Sequence, residues 1–119
     1  MAGKVVHFEV PAADSGRAKQ FYGELFGWQF QDPWGEMDYH LTEGGAVVGS
    51  EHPGHLTVYF DTEDIDASVA RVRELGGAAE DKSPIPGVGW FAGCQDSEGN
   101  AFSLFQGDDS VQHDEARAE

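Results

Sequence analysis

The chain states one pattern twice, fifty residues apart. Residues 5–28 run as an alternating strand, an aspartate, an amphipathic helix and a glycine stop, and residues 55–78 repeat that order. Asp14 matches Asp64, Glu24 matches Glu74, Leu25 matches Leu75 and Gly27 matches Gly77, and identity between the two stretches goes no further. What recurs is therefore physics rather than sequence. A duplicated unit in a chain of 119 residues implies two half-folds meeting at a shared surface, and the chemistry is expected there.

Length predicts one domain with a core that needs no staples. Cys94 is the only cysteine, so no internal disulfide forms, which suits a reducing cytosol; a small buried thiol is the expected role. No signal-like run opens the sequence, and no stretch of about 18 apolar residues could span a membrane, so a cytoplasmic protein is expected. The net charge is −15, from 22 acidic against 7 basic residues. Nucleic acid and anionic membranes are thereby disfavoured as partners. Solubility is the plain consequence, and a field that concentrates a cationic ligand is the sharper one. Residues 107–119 are acidic and aperiodic, a tail expected to be disordered, so the domain is placed at residues 1–106.

Lys4–Val10 alternates, with Val6, Phe8 and Val10 on one face and Val5, His7 and Glu9 on the other. Pro11 is expected to end this strand, and Asp14 to cap a helix whose Ala18, Phe21, Tyr22, Leu25 and Phe26 form one apolar stripe. Trp28–Gln31 reads as a short strand, the segment from Asp32 to Gly35 as a turn, and Met37–Thr42 and Ala46–Gly49 as strands around Gly44-Gly45. The second half repeats the order. Leu56, Val58 and Phe60 alternate with His55, Thr57, Tyr59 and Asp61. Asp64 caps a helix carrying Ile65, Val69, Val72 and Leu75. Ala78–Ser83, Gly89–Gln95 and Ala101–Gln106 are the remaining strands, and residues 84–89 form a stiff, glycine-punctuated loop. The predicted class is α+β, two tandem βαβββ modules at about 4–50 and 55–106. With the apolar strand faces under the helices, the polar faces are expected to line a curved-sheet cleft.

These features resemble the vicinal oxygen chelate superfamily, which includes glyoxalase I, bleomycin-resistance proteins and extradiol dioxygenases. The resemblance runs from Val5 to Gln106. It is carried by His7-Phe8-Glu9-Val10-Pro11, by Arg17-Ala18-Lys19-Gln20-Phe21-Tyr22-Gly23-Glu24-Leu25-Phe26-Gly27-Trp28, by Asp64-Ile65-Asp66-Ala67 with Leu75-Gly76-Gly77, and by Asp96-Ser97-Glu98-Gly99-Asn100. The end of the first helix and the last turn are similar to those of small proteins related to lactoylglutathione lyase. The resemblance implies the glyoxalase/bleomycin-resistance fold and a homodimer. It leaves the reaction open, because this fold hosts lyases, dioxygenases, epimerases, thiol transferases and drug binders.

Metal-dependent members resemble one another in a set of His and Glu ligands on the first and last strands of each module. Carried over, those positions fall on His7, Val48, Thr57 and Ser103. Valine cannot coordinate, and neutral hydroxyls are poor ligands for Zn, Ni, Fe or Mn. No metal at the standard site, and no cofactor, is therefore expected. The fallback is a His₂-carboxylate set of His7, His55 and Glu9, although i and i+2 side chains on a strand lie about 6–7 Å apart. Acid–base chemistry by His7 and Glu9, with Tyr59 opposite, needs no metal.

The ligand pocket is expected to comprise His7, Glu9, Thr57, Tyr59, Trp90, Phe91, Ser103 and Phe105, with aromatic walls around a few polar groups. Alternation sends one ring of Trp90-Phe91 to each face. The sequence thus predicts a glyoxalase-like binder of a cationic or aromatic small molecule. The alternative is a metal-dependent lyase, isomerase or dioxygenase with a rearranged ligand set.

Overall fold

The computed structural model describes residues 3–33 and 35–111, so Trp34 in the expected turn and the acidic stretch from Gln112 onward lie outside the described residues. The elements are β1 (Val5–Ala12), α1 (Ser15–Phe26), β2 (Tyr39–Thr42), β3 (Gly45–Gly49), β4 (Thr57–Asp61), α2 (Ile65–Glu74), β5 (Ala78–Ala79), β6 (Ser83–Ile85), β7 (Gly89–Gln95) and β8 (Ala101–Gly107). The described residues divide into two compact units, 7–58 and 3–6 with 59–111.

In the first unit the strand order is β2-β3-β1, with β1 and β3 parallel and β2 and β3 antiparallel. The Asp14 carboxylate accepts the Arg17 N–H, and Gly27 closes α1 in the left-handed region at φ 76°. Val10, Ala12 and Val47 form the core, with Phe8, Ala18, Tyr22 and Phe30 packed on it. Gly45 pairs with Phe8, and a Cβ there would meet the Phe8 ring at 2.5 Å, so glycine is what lets the ring lie flat on β3. Pro11 does not end β1. The Phe8 N–H donates to Gly44 and the Ala12 carbonyl accepts from Ser50, so Pro11 between them faces away from β3 and no bond of that pair is lost.

Trp28–Gln31 is not a strand. It contributes one ladder-like bond, Gln31 N–H to Leu41 O, and the Gln29 carbonyl accepts the Thr42 hydroxyl, while the Trp28 ring stacks on Tyr22 at 4.8 Å. The α1 stripe is only partly covered. Ala18 and Tyr22 pack inward, whereas Phe21, Leu25 and Phe26 are 57–60% exposed.

In the second unit the order is β4-β8-β7-β5, with β6 also paired to β7. Ile65, Val69, Ala92, Cys94 and Leu104 form the core beneath α2. Asp64 caps Ala67 N–H, and the Gln106 side-chain carbonyl takes the Ile65 N–H, so two of the helix's leading donors are satisfied. The segment expected as one strand at Ala78–Ser83 is two short ones, and Ser83-Pro84-Ile85 pairs with Gly89-Trp90-Phe91. The Val88 N–H to Ile85 O bond makes this a tight hairpin rather than an open loop. Leu56 lies outside β4 and is exposed. β8 continues through Gly107, and Val111 is buried, its carbonyl accepting the Gly87 N–H. Gly107 in the strand and the buried Val111 thus lie beyond the expected boundary at Gln106.

Candidate functional site

On β1, His7 and Glu9 project to the face opposite Val10 and Ala12, as alternation requires. Register adds the rest. Glu9 pairs with Ala46 and Pro11 with Val48, and Val48 pairs with Tyr39 across the hairpin, so Tyr39 shares the His7 and Glu9 face. Its hydroxyl sits between the two. The Tyr39 O–H donates to Glu9 Oε2 at 2.7 Å, and the same oxygen lies 2.8 Å from His7 Nε2. The phenolic hydrogen is committed to the carboxylate, so His7 Nε2–H is the donor of the second bond. The two rings are parallel, 6.3 Å apart. Burial holds the His7 pKa below the ordinary imidazole value despite the upward pull of Glu9, so the resting His7 ring is a neutral imidazole.

Tyr39 was missed by the sequence reading, although a signal existed. The Gly44-Gly45 turn sets the hairpin register, and residues directly opposite in an antiparallel pair share a face. Placing Val48 beside His7 therefore places Tyr39 there too.

His40 alternates to the helix face, where it is 6% exposed, with Nε2 at 2.7 Å from Asp38 Oδ1 and Nδ1 at 3.2 Å from Lys19 Nζ. His55 is exposed in the connector before β4, and Thr57 is half-buried at that strand's start. In the second unit, Tyr59 pairs with Ser103, and Ser103 with Gly93; Phe105 pairs with Phe91. Tyr59, Ser103, Phe105 and Phe91 thus share the face away from α2, and Ser103 is buried. Trp90 does not join them. It packs on the α2 core with Lys82 Nζ 4.4 Å from its ring centre, because alternation that sends Phe91 one way sends Trp90 the other. Cys94 is a core thiol whose pKa burial pushes up. An open depression of about 360 Å³ is lined by Ala13, Asp38, Gly49, Ser50 and Glu51, and His7, Tyr39 and Glu9 take no part in it.

The positions at which the resemblance expects metal ligands offer one imidazole already hydrogen-bonded to a phenol, one isopropyl group and two neutral hydroxyls. Imidazole is the one strong ligand for a divalent ion among these four side chains. Among the described residues no three His, Cys, Asp or Glu side chains are grouped to hold one, and the His7, Glu9 and His55 fallback is not assembled.

Residues 4–45 match the family model for the bleomycin resistance protein-like N-terminal region. A glyoxylase-like domain-containing protein of Didymella fabae is 28% identical over 118 residues, spanning 86% of this chain and 92% of its own. The anaerobic substrate complex of homoprotocatechuate 2,3-dioxygenase from Brevibacterium fuscum superposes with a TM-score of 0.72 at 17% identity over 98% of this chain. This chain spans only 40% of that dioxygenase. Methylmalonyl-CoA epimerase of Streptomyces coelicolor superposes at 0.59 with 17% identity, over 90% of this chain and 99% of its own. At these identities the structural likeness is one of fold. No helix among the described residues is long and apolar enough to cross a membrane. Over residues 4–45 this chain is thus similar to the bleomycin resistance protein-like N-terminal region, along most of its length to a glyoxylase-like relative, and in fold to the structures just named.

Proposed function

We propose that the protein binds a basic, ring-bearing small molecule without a metal, on the face that carries His7, Tyr39 and Glu9. The observation that carries this reading is the hydrogen-bonded series His7 to Tyr39 to Glu9. It ends in a carboxylate and begins in a neutral imidazole, so its net charge is negative. A chain of net charge −15 adds a long-range field of the same sign.

Isothermal titration against a panel of cationic aromatic and neutral aromatic compounds tests it. The expected result is binding of cationic members, weakened at least about tenfold by Glu9→Gln, the loss of one charge-assisted contact. Absence of binding across the panel, or a preference for anions, ends the reading.

A second reading, proton transfer on a bound substrate, is favoured by the same series, since a phenol flanked by an imidazole and a carboxylate can pass a proton either way. Deuterium exchange into a bound carbon acid, lost in Tyr39→Phe, separates catalysis from binding. The metal-dependent alternative is tested by elemental analysis of protein purified without chelator, where stoichiometric Zn, Ni, Fe or Mn lost on His7→Ala would establish it. A second copy of the chain is the proposed partner, supported by the exposed Phe21, Leu25 and Phe26 on one helix, and sedimentation reads it directly.

A further inference from the structure

β2 is four residues long and pairs only with β3 among the described strands. A short strand at the edge of its unit is weakly held by backbone bonds alone. Yet the Tyr39 hydroxyl on it must stay within hydrogen-bond reach of two groups on β1, and such bonds fail with a shift of well under 1 Å.

The residues on either side of Tyr39 supply what the backbone lacks. Asp38 Oδ1 accepts the Ser15 hydroxyl at 2.7 Å and faces His40 Nε2 at 2.7 Å. Lys19 Nζ lies 3.2 Å from His40 Nδ1. An ammonium only donates, so Nδ1 is the acceptor and the ring hydrogen is on Nε2, aimed at Asp38. Ser15 and Lys19 stand one turn apart on α1, so the helix grips β2 at His40 and the residue before the strand at Asp38, around a ring that is almost fully buried. The two hydrogen bonds hold the Asp38 carboxyl below its ordinary range, as a committed anion. The Gly49 N–H also donates to the Asp38 carbonyl at 2.8 Å, and a Cβ at Gly49 would collide with the Asp38 carboxylate. Strand alternation then leaves Tyr39 one direction, towards His7 and Glu9.

We infer that His40 is a positioning residue: from the helix face of β2 it holds the Tyr39 hydroxyl between His7 and Glu9 on the opposite face. This rests on the ligand-face reading above and assigns what keeps that face in register. His40 touches neither His7 nor the ligand face, so its effect travels through the strand.

The test uses the full chain with no ligand, which keeps its failure distinct from failure of the binding proposal. The titration of the His7 ring is followed by NMR in the wild type, Tyr39→Phe, His40→Leu and His40→Gln. The expected result is that His40→Leu moves the His7 midpoint at least half as far as Tyr39→Phe does. His40→Gln, whose amide still donates to Asp38, moves it less than a quarter as far. A residue that only filled the core would lower stability without moving the midpoint of a ring on the other face. A folded His40→Leu protein with the wild-type midpoint overturns the inference, as does a Tyr39→Phe protein in which His7 titrates unchanged. If His40→Leu does not fold, the double variant Ser15→Ala/Lys19→Met removes the grip from the helix side and is judged by the same criterion.

Discussion

Replacing Tyr39 by Phe keeps the ring and its parallel contact with His7 but deletes one oxygen that serves two partners. The bond donated to Glu9 is charge-assisted and is worth about 1.5–3 kcal/mol, and the bond accepted from His7 about 1 kcal/mol. Both partners are only part-buried, so water recovers some of each, and the expected net loss is about 1.5–2.5 kcal/mol. For a chain of this size about 4 °C of Tm accompanies each kcal/mol, which puts the fall at roughly 6–10 °C. Urea unfolding followed by tryptophan fluorescence measures the free energy. A cycle with Glu9→Gln isolates the pair, with a coupling of about 1 kcal/mol or more expected. A loss under about 0.5 kcal/mol together with zero coupling would refute the claim that the hydroxyl joins His7 to Glu9.

Three further outcomes follow from the same geometry. His7 has a folded-state pKa below its unfolded value of about 6.5, so as pH falls below that value the unfolded chain binds the proton first and stability drops; stability should rise with pH up to about 6.5, and His7→Gln should flatten that slope in urea titrations at stepped pH. Gly49→Ala drives a methyl group into the Asp38 carboxylate and should destabilise by about 1–3 kcal/mol, whereas the exposed Gly16→Ala, whose nearest contact is 3.5 Å, should be neutral or stabilising. Cys94, buried with a raised pKa, should resist a disulfide-exchange reagent in native protein and react at once in urea; fast native reaction would contradict its place in the α2 core.

How far the chain could be read follows from the range of the interactions involved. The Asp14 and Asp64 caps and the Gly27 stop bind groups within four residues, and both helices start at those caps. The His7 and Glu9 face followed from period-two alternation, which any strand imposes on its own side chains. The extent of burial was less legible. Period 3.6 marks Phe21, Leu25 and Phe26 as one stripe with Ala18 and Tyr22, but which part of a stripe is covered depends on the width of the sheet under it, and three of these five side chains stay exposed. Pro11 was misread for the same kind of reason: whether a proline breaks a strand depends on which side its missing N–H faces, and that is a property of the neighbour. For the Trp90-Phe91 pair the sequence showed that the rings diverge and could not say which one meets the core.

The sequence by itself therefore determined the duplicated βα units, their caps and the polar face of the first strand, because each depends on residue type or on spacing within one element. Only tertiary structure decided that a hydroxyl thirty residues away from Glu9 joins it to His7, and that His40 is gripped by α1. Those bonds form or fail over tenths of an ångström between segments whose separation is set by strand register and helix packing, quantities that no single stretch of sequence contains.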